Sequence, residues 1–117
     1  MTTLAKKSFS FTFDPSVGAN QNMRLDIETQ QADGSFSGKL LSNGTSYAVS
    51  GALSALGRID FTAYEGQIST SFVADLHLQH NKDLWMAGWF RDYHGRSVRG
   101  GFPRMAPFYA VEIRLIQ

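Results

Sequence analysis

Met23-Arg24-Leu25-Asp26-Ile27-Glu28 decides the fold: apolar side chains at 23, 25 and 27 alternate with charged ones at 24, 26 and 28. A repeat of two residues places the two sets on opposite faces of an extended chain, one face for a core and one for water. No helix reads this way. Outward from it the same period recurs. Phe9, Phe11 and Phe13 alternate with Ser8, Ser10 and Thr12, and Phe36 and Leu40 with Ser35, Ser37 and Lys39. Tyr47, Val49 and Leu53 alternate with Ala48, Ser50 and Ala52, and Ile59, Phe61 and Ala63 with Asp60, Thr62 and Tyr64. The run Ser71–Gln79 sets Phe72, Ala74, Leu76 and Leu78 against Ser71, Val73, Asp75, His77 and Gln79.

Short links carrying Asp33-Gly34, Asn43-Gly44, Gly57, Glu65-Gly66 and Asn81-Lys82-Asp83 separate these segments. Links of two to four residues make consecutive strands antiparallel neighbours. With Leu84–Tyr93 and a final strand expected over Phe108–Ile116, the chain reads as about eight strands in an unbroken meander. The fold expected is all-β: one eight-stranded antiparallel up-and-down barrel over residues 1–117, with a β-sandwich as the alternative. Closure into a barrel leaves no strand edge open.

Composition narrows the function classes. With 117 residues the chain can bury a core without staples, and its lack of cysteine excludes disulfides and thiolate metal sites. Eleven Lys and Arg against ten Asp and Glu leave a formal charge of +1, so nucleic acid is not an expected partner. No apolar run approaches the roughly 20 residues of a membrane helix, and Met-Thr-Thr-Leu-Ala-Lys-Lys does not read as a signal peptide. A cytoplasmic protein with no membrane partner is the expectation.

Asp33-Gly34-Ser35-Phe36-Ser37-Gly38-Lys39-Leu40 resembles the second strand of avidin-type proteins, where a Gly-x-apolar-Thr-Gly-x-Tyr pattern opens an eight-strand meander. Strand number and order fit that family over nearly the whole chain, and lipocalin-like barrels share the layout. The resemblance implies a ligand-binding barrel. At the position of the family's ligand-binding tyrosine, however, this chain has Leu40. The expected interior face holds Phe9, Phe11, Phe13, Phe36, Phe61, Phe72 and Phe90 rather than hydroxyls and amides. The polar groups of biotin would lack partners there, at about 1–3 kcal/mol each, so biotin is not the expected ligand. Gly38, Gly51 and Gly88 fall on the same face, where they either leave room for a ligand or mark a bend.

Two regions carry candidate sites. From Arg91 to Pro107 the sequence places Arg91, Arg96, Arg99 and Arg104 among glycines. Guanidinium groups on such a loop suit a carboxylate or phosphate, with Tyr93 and Phe102 available for stacking. Tyr93, Arg96, Arg99, Phe102 and Arg104 are therefore the candidate ligand-binding residues. Asp92, Tyr93 and His94 are the catalytic candidates, with His94 as general base. His77 and His80, three apart at a strand end, face different ways, so no metal and no cofactor is expected.

The last two strands are apolar on both faces: Trp85 and Trp89 back Met86 and Phe90, while Tyr109, Val111, Ile113 and Leu115 back Phe108 and Ala110. A strand of that kind is buried on both sides. Trp85, Trp89, Tyr109, Val111, Ile113 and Leu115 are the candidate interface of a homo-oligomer, a dimer or tetramer. The leading functional expectation is a non-enzymatic module for a small apolar or aromatic ligand, with an anionic group met by arginine. The alternatives are a barrel-type isomerase, cyclase or hydrolase using His94 with Asp92 or Tyr93, and a filled structural barrel that binds a protein partner.

Overall fold

The computed structural model describes residues 2–13, 23–42, 44–65, 68–79, 81–92 and 104–114, with the backbone alone at 65, 68, 92 and 104. Eight strands follow one another: β1 (Ser8–Phe13), β2 (Met23–Gln30), β3 (Ser35–Ser42), β4 (Thr45–Leu53), β5 (Arg58–Glu65), β6 (Ile68–Leu78), β7 (Leu84–Asp92) and β8 (Arg104–Ile113). Each pairs antiparallel with the next, and β8 returns to β1 from Ser8↔Ile113 to Phe13↔Phe108, closing the barrel. The meander barrel is thus the fold, and the sandwich alternative is set aside. No helix occurs among the described residues, so none there is long and apolar enough to cross a membrane.

The alternation explains the core. Every inward phenylalanine expected from the sequence is buried, and Phe108 of β8 joins them. Eight rings fill a barrel only just wide enough for side chains. Phe11 contacts Phe61, Phe72 and Phe108 at centroid distances of 6.3, 5.7 and 5.4 Å. Phe11, Phe61 and Phe72 are at most 2 % accessible and pack against one another. Burying rings of this size contributes the largest apolar term in the fold, about 1.5–3 kcal/mol for each.

Glycine settles one open question. A Cβ on Gly88 would run into the Val73 carbonyl and lie 2.6 Å from the Ala74 Cα, and one on Gly38 would strike the Asp26 carbonyl. These glycines let neighbouring strands approach closely and do not leave space for a ligand.

β8 departs from expectation at both ends. It begins at Arg104 rather than Phe108 and ends at Ile113. Met105, Ala106 and Pro107 pair with Arg91, Phe90 and Trp89 of β7. Among the described residues the pairing to β1 runs from Ser8↔Ile113 to Phe13↔Phe108.

The rim where β1 begins is built tightly. Gln31 N–H bonds the Ser35 carbonyl and Gly34 N–H the Gln31 carbonyl; Ser54, Gly57 and Arg58 repeat this, and so do Gln79, Lys82 and Asp83. The third loop residue has φ of +94°, +87° and +69° at Gly34, Gly57 and Lys82. This is the three-residue hairpin with a left-handed third position. Leu4, fully buried, plugs the barrel from this side, with its N–H on Gln30 Oε1 at 2.8 Å. Glu112 braces the same end: Oε1 accepts from Leu84 N–H at 2.8 Å and Oε2 from Lys7 Nζ at 3.2 Å. Arg114, two residues on from Glu112, reaches Asp83 at 3.1 Å.

Candidate functional site

The opposite rim is the open question. There the longer connections, 14–22 and 93–103, leave from the ends of β1 and β7. Beneath it Phe13, Leu40, Ala63, Phe90 and Ala106 form an apolar floor, all buried. Phe13 and Phe90 meet edge to face at 5.1 Å, and Phe90 lies over Phe72 at 5.8 Å with planes 28° apart. The two alanines are small members of a layer otherwise made of large side chains.

Polar residues gather on this rim. The register sets Ser42 opposite Thr45, Thr70 opposite Asp92, and Asp92 opposite Arg104. Tyr47, half-buried against the core, pairs with Leu40. A phenol therefore stands one strand away from the position where the avidin-type pattern has its tyrosine. Sequence reasoning passed over Ser42, Thr45, Tyr47 and Thr70. The signal was their parity: Tyr47 shares a row with Val49 and Leu53 but sits at the end of the strand nearest this rim.

The structure brings Asp92 and Arg104 together by backbone register, placing Arg104 at the start of a strand rather than in a loop. Tyr93, His94, Arg96, Arg99 and Phe102 lie outside the described residues, as do His80 and Leu115. No group of three or more His, Cys, Asp or Glu among the described residues is placed to hold a metal. Asp33, on the other rim, accepts from the Ser35 hydroxyl at 2.7 Å and the Ser35 N–H at 2.9 Å. These bonds hold its carboxyl below the ordinary carboxylate range.

A second candidate lies on the outer wall. Trp89 (57 % accessible), Met105 (56 %), Tyr109 (48 %) and Val73 (45 %) spread over β6, β7 and β8. The register joins them, with Val73 opposite Trp89 and Ala87 opposite Tyr109. Val111 and Ile113 continue the wall, half-buried. Trp85, also half-buried, stacks on His77 at 4.4 Å with planes 24° apart. These large apolar side chains form one exposed patch on the outer wall.

No protein-family model matches the sequence, and no curated protein sequence matches it. Solved structures do. Apo shwanavidin superposes with a TM-score of 0.72 at 12 % identity, over 98 % of this chain and 100 % of its own. The biotin-binding protein from chicken gives 0.68 at 13 % identity, over 95 % and 96 % of the two chains. Rhizavidin, solved as a biotin complex, gives 0.64 at 12 % identity, over 97 % and 95 %. The strands, their order and their closure are those of these proteins, and at the level of fold this chain is an avidin-like eight-stranded barrel.

Proposed function

We propose that the chain is a non-enzymatic binding module that takes a small apolar or aromatic ligand with an anionic group at the rim where β7 ends and β8 begins. The observation that carries this reading is the composition of that end: a floor of Phe13, Leu40, Ala63, Phe90 and Ala106 beneath a rim bearing Tyr47, Thr70, Asp92 and Arg104. A flat apolar body suits the floor, and Arg96, Arg99 and Arg104 supply guanidinium groups for its carboxylate or phosphate. The packed rings of Phe11, Phe61 and Phe72 stop the ligand short of the barrel centre. Leu40, at the position of the avidin-type tyrosine, speaks against biotin, whose ureido ring would lose a hydroxyl partner there.

Thermal-shift and calorimetric titration with indole-3-acetate, 1-naphthoate and decanoate tests the reading. At least one is expected to bind, with the Arg99→Ala/Arg104→Ala variant about tenfold or more weaker. If none binds, or the double variant binds unchanged, the reading is wrong.

The wall of Val73, Trp89, Met105 and Tyr109 supports a homo-oligomer as the working form, with the same wall of a second copy as its cover. Light scattering at micromolar concentration is expected to give a mass above 13.0 kDa. Trp89→Asp is expected to return it to that value. A monomeric parent protein removes the idea.

A further inference from the structure

The hairpin 31–35 and its counterparts 54–58 and 79–83 are one turn built three times, which makes them controls for one another. Two residues beyond the turn, the first has Ser37 and the second Asp60, whereas the third has Trp85. At the left-handed position the first two have glycine and the third has Lys82 at φ +69°. The turn itself therefore requires neither the indole nor the lysine. Beside the third turn lies a groove of about 490 Å³ lined by Leu78, Gln79, Asn81 and Trp85.

Its chemistry points to one ligand class. The described lining pairs one aromatic and one aliphatic side chain with two carboxamides and includes no charged group. A purely apolar ligand would strip water from the amides without replacing it. A neutral molecule with C–H faces and hydroxyl edges satisfies both halves at once. The walls are also held in advance. Asn81 Nδ2 donates to Asp83 Oδ2 and its Oδ1 accepts from Asp83 N–H, both at 3.0 Å, while Arg114 clamps Asp83 at 3.1 Å. His77 fixes the Trp85 ring by stacking. Walls ordered before binding reduce the entropy lost on binding.

We infer that the groove at Trp85, Gln79 and Asn81 is a carbohydrate site, with the indole as its apolar wall against the C–H groups of a sugar and the amides as hydroxyl partners. It lies at the rim opposite the proposed ligand mouth and stands independently of that function.

Titration of nitrogen-15-labelled protein with methyl β-glucoside, methyl β-galactoside and diacetylchitobiose, read by nuclear magnetic resonance, tests it. At least one is expected to shift the Trp85 indole N–H resonance saturably. Trp85→Ala and Asn81→Ala should each weaken that sugar about tenfold, with Leu56→Ala, exposed on the second hairpin, unchanged. Asn81→Ala, at an exposed turn, keeps the test available if Trp85→Ala does not fold. If no sugar in the panel moves the Trp85 resonance saturably, or Asn81→Ala binds as the parent does, the inference is overturned.

Discussion

Phe61 and Phe72 lie directly opposite each other on β5 and β6 and stack with centroids 4.6 Å apart and planes 11° from parallel. The pair sits at the centre of the filled barrel, where Phe72 also meets Phe11, Phe90 and Phe108. Phe72→Ala is expected to cost about 3–5 kcal/mol, because the closed sheet cannot collapse around the void. Urea unfolding measures the loss. The same variant should take up benzene or indole in the new cavity, raising its Tm where the parent protein does not respond.

Gly88→Ala tests the close approach of β6 and β7. The new methyl meets the Val73 carbonyl and the Ala74 backbone, neither of which is a flexible side-chain end. Strain of about 1–3 kcal/mol is expected in chemical denaturation. An unchanged midpoint would show that the strands can move apart freely.

Glu112 joins three segments, accepting from the Leu84 amide and from Lys7. Its side chain is only 10 % accessible, so Glu112→Ala leaves a shielded N–H without its acceptor at a cost of about 1–3 kcal/mol. Lys7→Ala removes only the more solvated partner and should cost less. Denaturation of the two variants side by side reads the ranking, and a reversed order would contradict it.

Lys82 occupies a left-handed conformation that its hairpin counterparts give to glycine. Lys82→Gly should stabilise the fold by up to about 1 kcal/mol, the relief of the Cβ clash being partly offset by the greater freedom of glycine when unfolded. A higher Tm with unchanged spectra is the expected outcome.

Asp33 gives a pH signature. Its carboxyl is held below the ordinary range by the Ser35 hydroxyl and N–H, so its stabilising contribution is present above that range and is lost as pH falls through the lowered value. Asp33→Asn should flatten the acid limb of the stability profile by lowering stability above the acid range while leaving it little changed below that range. Melts across the acid range check this.

The sequence made the inside of the barrel readable and its ends much less so. Met23 to Glu28 and the alternating phenylalanines fix which face is buried, because period two allows a side chain only two directions. Gly38 and Gly88 were ambiguous: spacing shows that they face inward but not how near the next strand comes. Arg104 to Pro107 looked like loop because arginine and proline are poor strand formers, yet pairing with β7 overrides that preference. Glu112 chose Lys7, more than a hundred residues away, over its neighbour Arg114, a choice set by register and invisible in local sequence. The rim residues Tyr47 and Thr70 showed no motif, since what gathers them is curvature.

The seam between β1 and β8 sets the order in which the chain can mature. Ser8 meets Ile113 across it, so the ring cannot shut until β8 is available to pair with β1. Before then β1 and β7 both present bare hydrogen-bonding edges, and rows of phenylalanine are open to solvent. A contact that spans so much of the chain is also slow to find. A chain cut short before Arg104 would keep the edges of β1 and β7 open and is expected to pair with its own kind.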